Sequence, residues 1–144
     1  EIGGEIRTRG KSPRGDDWKV GIDKPVYGNV LPGQSLQEVV RLSDKALASS
    51  GNYRKFYEVK GEKVAHTIDP ATGYAEPSNL LSVTIITDEC MAADAYSTTC
   101  MVLGLEKAKE FVQTLDGVEA LFIYSDEEGL FLEWMTDGMK DLLL

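Results

Sequence analysis

The chain has 144 residues, 42% of them apolar, and a formal net charge of −9 at neutral pH. That length and composition suit one ordinary globular domain with a respectable core, and no tract has the bias of disorder. So acidic a chain, with no basic patch, is a poor partner for DNA or RNA, and no apolar run approaches the roughly 20 residues of a membrane-spanning helix.

Residues 1–9 and 17–23 alternate apolar and polar side chains as strands do, and the segment from Gly10 to Asp17 reads as the loop between them. Pro25 to Gly33 is irregular. Residues 36–42 and 45–50 fit helix or strand on periodicity; Val39, Val40 and the Leu47-Ala48-Ser49-Ser50 run favour a pair of strands. Lys55–Val59 and Lys63–His66 flank a Gly61 turn as a β-hairpin. Asp69-Pro70-Ala71-Thr72-Gly73 breaks any strand, because proline lacks the amide donor. Leu81–Thr87 alternates strongly and predicts a strand. Asp88 is expected to cap a helix that runs to Leu103, with Met91, Ala95, Val102 and Leu103 as its apolar side. Gly104 ends it, Glu106–Thr114 forms a second helix, and Val118–Tyr124 with Leu130–Trp134 makes a terminal hairpin. The tail from Met135 to Leu144 is expected to hold a last turn or two of helix. The fold class is therefore α+β: a mainly antiparallel sheet with helices packed on one face.

Two cysteines, Cys90 and Cys100, fall in the predicted helix. Ten residues of helix separate them by about 15 Å, too far for a disulfide, so they read as core thiols.

Two segments concentrate chemistry. His66-Thr67-Ile68-Asp69-Pro70 places the chain's only imidazole beside a carboxylate and a rigid turn. Its ordinary pKa near neutrality suits a general base or an orienting group. Asp69 reads as the buttress of the turn. In Ala93-Asp94-Ala95-Tyr96-Ser97-Thr98, a carboxylate and a hydroxyl stand four residues apart, one helical turn, on one face. A hard cation such as magnesium takes such oxygens and completes its shell with water and phosphate. Read from the residues alone, a solvated Asp94 and a back-bonded Thr98 fit as well, and a structural histidine fits His66. The pair Gly3-Gly4 marks a close approach by a ligand or by another backbone; it is not a dinucleotide fingerprint, since no strand-to-helix turn follows it.

These segments resemble the FAD:protein FMN transferases, the ApbE family once called thiamine biosynthesis lipoproteins. The family reads H-x-I-D-P-x-T-G where this chain has His66 to Gly73, and A-D-A-x-x-T where it has Ala93 to Thr98, followed by the apolar run to Leu103-Gly104. Ile2-Gly3-Gly4-Glu5-Ile6-Arg7 and Trp18-Lys19-Val20-Gly21-Ile22 match two further family strands. Ser49-Ser50-Gly51-Asn52-Tyr53 stands where the family has T-S-G-x-Y, with Ser49 replacing threonine.

The resemblance implies magnesium-dependent transfer of FMN from FAD to a threonine or serine hydroxyl of a target flavoprotein, with release of AMP. The acceptor would be a subunit of a membrane redox complex. It implies Asp94, Thr98 and Ser97 as metal ligands, His66 as the catalytic base, and Gly3, Gly4, Ser50, Gly51 and Ile68 as flavin contacts. Hydrolysis of FAD to FMN and AMP is the enzymatic alternative, and a non-catalytic flavin-binding protein the other. Family members are longer, so residues 1–144 are expected to be the C-terminal portion of the transferase domain, half of a larger ApbE-like fold whose N-terminal half is absent here. An exported, lipid-anchored location at the cell envelope is implied in the same way.

Overall fold

The computed structural model describes residues 1–26, 33–52, 56–59, 62–65, 68–70, 72–74 and 78–144. Its strongest sequence signal, the run before residue 88, forms the central strand of the main sheet. That strand is β7 (Leu80–Thr87), preceded in the chain by β1 (Ile6–Arg7), β2 (Trp18–Asp23), β3 (Leu36–Leu42), β4 (Ala46–Gly51), β5 (Phe56–Val59) and β6 (Glu62–Ala65). Helices α1 (Cys90–Leu103) and α2 (Leu105–Gln113) follow, then β8 (Glu119–Ser125), β9 (Phe131–Met135) and α3 (Asp137–Leu142). Among the described residues the main sheet is antiparallel, in the order β1-β4-β7-β8-β9, and β2-β3 and β5-β6 form separate two-stranded ribbons.

Strand alternation gives this sheet two apolar faces, and each is covered. Val83, Ile85 and Phe122 meet α1 and α2 through Ala93, Cys100, Met101, Ala108 and Val112. On the opposite face, Leu47, Ile86, Leu121 and Ile123 meet the β2-β3 ribbon and α3 through Val20, Ile22, Val40, Leu42 and Met139. The sheet is mainly antiparallel with α1 and α2 on one face, as expected. The short tail helix α3 lies on the other face beside β3, because its only buried residue, Met139, belongs to that second core.

Three sequence expectations change in detail. Residues 1–9 were expected as one strand, but Ile2 and Glu5 exchange backbone hydrogen bonds across Gly3-Gly4, so the chain reverses there. Both glycines have positive φ, +71° and +110°. A two-residue reversal of this kind requires that conformation, which gives the pair a backbone role. β3 and β4 are strands as expected: β3 joins β2, and β4 joins β1 and β7. Asp44, at φ +56°, turns the chain between them and accepts a hydrogen bond from the Gly10 amide.

Asp88 does not cap α1. Glu89 occupies that position with no side-chain hydrogen bond, while the Asp88 carboxylate pairs with Lys45 at 2.6 Å. The buried face of α1 is Ala93, Ser97, Cys100 and Met101, whereas Met91 is 78% exposed. Three of these four are small, which suits a helix that lies directly on β4 and β7, where bulk would hold helix and sheet apart.

Candidate functional site

Strand β1 is only two residues long and pairs with Ala46 and Leu47 alone. The rest of that β4 edge, Ala48 to Gly51, therefore has no strand partner among the described residues. Beside this bare edge opens a cleft of about 1410 Å³. The β1 region and the β2-β3 ribbon wall one side of it, and α1 walls the other.

The cleft collects most of the residues singled out from sequence. Gly3, Gly4, Ser50, Gly51, Ile68, Asp94 and Thr98 all line it. Asp94 and Thr98 are exposed on one face of α1, next to the buried position Ala93. Ile68 is 57% exposed, and the turn after it is closed by hydrogen bonds between the Asp69 amide and the Tyr74 carbonyl, and between the Gly73 amide and the Asp69 carbonyl. His66 and Tyr53 lie outside the described residues.

Ser97 stands apart from the other expected metal ligands. It is fully buried and does not line the cleft. Its hydroxyl donates to the Asp94 carbonyl at 3.0 Å and lies 2.9 Å from Ser50 Oγ. Ser50 in turn is 3.1 Å from Thr98 Oγ1. Neighbouring hydroxyls on β4 thus serve opposite faces of the sheet: Ser50 meets α1, while Ser49 meets Thr84 at 2.7 Å on the strand beside it.

Sequence reasoning missed the positive charge here. Arg7, Arg9 and Lys19 line the cleft alongside Glu1, Glu5, Asp23 and Asp94, so cations and carboxylates are interspersed along its wall. The signal was present in the alternation Arg7-Thr8-Arg9, which buries Thr8 and exposes both arginines. The Arg7 guanidinium also donates to the Asp88 carbonyl, tying β1 to the entrance of α1.

Among the described residues no three histidine, cysteine or acidic side chains converge to cage a metal. The Asp94 and Thr98 pair that opens on the cleft from α1, a carboxylate and a hydroxyl, has the chemistry magnesium accepts, since that ion keeps several waters and takes few protein ligands. Cys100 offers no alternative: it is buried, and burial pushes its thiol up to about 12.

Residues 1–122 match the model of the ApbE family. The chain belongs to that family. Relatives include the FAD:protein FMN transferases of Salmonella typhimurium, 36% identical, and Escherichia coli, 38% identical, each over 143 residues that make up 99% of this chain and 39% of the relative. The same architecture occurs in the flavin transferase ApbE from Vibrio cholerae, with a TM-score of 0.79 and 34% identity over 99% of this chain and 43% of that one. The apo flavinyl transferase ApbE of Pseudomonas stutzeri gives 0.78 and 32%, over 99% and 42%. This ApbE-family chain thus spans about two fifths of the length of the relatives it matches.

Proposed function

We propose that this chain is the C-terminal portion of an FAD:protein FMN transferase, which moves FMN from FAD to a threonine or serine hydroxyl of a target flavoprotein and releases AMP in a magnesium-dependent reaction. The reading is supported above all by one observation: Gly3, Gly4, Ser50, Gly51, Ile68, Asp94 and Thr98, scattered over the sequence, open onto a single cleft. The transferase names of the relatives supply the activity. The remaining residues of the enzyme belong, in this proposal, to an N-terminal half.

In this reading Arg7, Arg9 and Lys19 are the cationic side chains that face a pyrophosphate, beside a magnesium ion that offsets the carboxylates of the cleft. The reversal at Gly3-Gly4 and the Ser50-Gly51 edge border the flavin, with Ile68 against it. Asp94 and Thr98 would hold magnesium, which supplies Lewis-acid polarisation and neutralises charge on the phosphates. His66 takes the proton of the acceptor hydroxyl or aligns that hydroxyl for in-line attack. The acceptor is a subunit of a membrane redox complex, and the enzyme is exported and lipid-anchored at the cell envelope. No described helix is long and apolar enough to cross a membrane.

A chimaera tests the reading: this chain replaces the matched segment of the Vibrio cholerae transferase. The chimaera is incubated with FAD, magnesium and a threonine-containing acceptor domain, and the acceptor is weighed by intact-mass spectrometry. An acceptor that gains one FMN, with the gain lost in Asp94→Ala, is the expected result. FMN and AMP accumulating beside an unmodified acceptor would replace transfer with FAD hydrolysis. Bound but unchanged FAD would leave flavin binding without turnover.

A further inference from the structure

The hydroxyls of Ser50, Ser97 and Thr98 each have one proton to donate and two lone pairs to accept with. That count, with three distances, fixes the direction of every hydrogen bond among them. The Asp94 carbonyl can only accept, so the Ser97 proton is committed to it at 3.0 Å. In the 2.9 Å contact between Ser50 and Ser97, Ser50 must therefore be the donor. With that proton committed, the 3.1 Å contact between Ser50 and Thr98 is donated by Thr98. The chain of protons runs from Thr98 to Ser50, on to Ser97, and ends on the helix backbone at Asp94.

Thr98 is thereby left with lone pairs, and no proton, for the cleft that it lines. An ionised Asp94 is also an acceptor only. This patch of the wall repels a bare phosphate oxygen and attracts a cation. Ser50 has no proton left to offer a flavin either, so its hydroxyl works toward the helix.

We propose that Ser50 is a positioning residue for the cation site: by accepting the Thr98 proton, it holds Thr98 Oγ1 as a lone-pair donor toward a divalent ion. The inference rests on the assignment of Asp94 and Thr98 to magnesium in the proposed function. It places a serine of strand β4, 48 residues away in sequence, in control of a helix side chain. Partners of metal ligands set the ligand's orientation, and losing one costs about 10–100-fold in metal affinity.

The test uses the Vibrio cholerae chimaera and manganese(II) as a spectroscopic stand-in for magnesium, with free ion counted by electron paramagnetic resonance. Ser50→Ala is expected to weaken manganese binding about tenfold or more, while the melting temperature stays that of the parent. Ser50→Thr, which keeps the hydroxyl, is expected to retain the affinity. In the Thr98→Ala background, Ser50→Ala is expected to cost nothing further, because its only route to the ion is gone. Parental affinity in Ser50→Ala, or a full additional loss in the double variant, would overturn the positioning role. Asp94→Ala separates the two levels. If Asp94→Ala binds manganese as the parent does, the cation assignment itself falls, and the role of Ser50 falls with it. If Asp94→Ala abolishes binding and Ser50→Ala changes nothing, only the positioning role is lost.

Discussion

Replacing Phe122 with alanine probes the core on which the candidate site is mounted. Phe122 is fully buried on β8, flanked in register by Val83 of β7 and Trp134 of β9. Its ring centroid lies 5.0 Å from that of Trp134, with the planes tilted by 41°. A buried aromatic side chain removes on the order of 150–250 Å² from water. At about 25 cal/mol per Å² that is about 4–6 kcal/mol, an upper limit because the unfolded chain is not fully extended. Measured losses for Phe→Ala in cores run at about 3–5 kcal/mol. A loss of about 4 kcal/mol is therefore expected, a large share of the roughly 5–15 kcal/mol that holds a domain together. The assay is urea unfolding of the 144-residue chain followed by far-UV circular dichroism, repeated for Trp134→Ala and the double variant. The pair itself is expected to show a coupling of about 0.5–1.5 kcal/mol in that cycle. A loss below about 2 kcal/mol at unchanged denaturant slope would refute the packing argument, and a coupling of zero would refute the ring contact. The same apolar cluster seats Ala93, Cys100 and Met101 of α1, so the variant also measures how firmly the helix bearing Asp94 and Thr98 is anchored.

Two further predictions concern that helix. Gly104 separates α1 from α2 at φ 74° and ψ 171°, a region essentially reserved for glycine, and a Cβ there would meet nothing within 4 Å. Gly104→Ala is expected to destabilise by about 1–3 kcal/mol through backbone strain alone; an unchanged urea midpoint would contradict this. Burial raises the Cys100 thiol from an ordinary value of 9.0 to about 12. In the unfolded chain the thiol ionises near its ordinary value, while in the folded chain it stays protonated. Its contribution is thus complete below about pH 9 and lost as pH climbs toward 12, at about 1.4 kcal/mol per pH unit. Urea titrations between pH 8 and pH 10.5 should show a steeper alkaline loss in the parent than in Cys100→Ala; equal slopes would show that the thiol is not the cause.

The sequence carried the local features well and the long-range ones poorly. β7 was legible from its alternation, and the β8-β9 hairpin from two apolar runs around the polar, glycine-ended segment between them. The pairing of Asp94 with Thr98 followed from helical geometry. The partners of β3 and β4 were not legible, because Asp44 turns the chain between them from one layer into another. The face of α1 was misjudged because hydropathy ranks Met91 above Ser97, whereas close contact with the sheet rewards small side chains. Ser97 shows the same effect: the position that looks adjacent to the site along the chain points into the core. The bond from Ser50 to Thr98 could not be seen in advance, because it depends on which strand the helix rests upon.

The alternation of Ser49 and Ser50 on β4 ties the polar wall of the cleft to correct folding. A slip of one residue in the pairing of β4 with β7 would exchange their faces, sending Ser50 to the ribbon side and Ser49 to the helix. Leu47 and Ala48 would change places too, and the larger side chain would lift α1 from the sheet. A misregistered molecule would lose the hydroxyl that faces Thr98 together with the seat of the helix. The strand thus acts as a fidelity check: the same offset that buries the right side chains aligns the polar wall of the cleft, so a wrong register would disrupt both together.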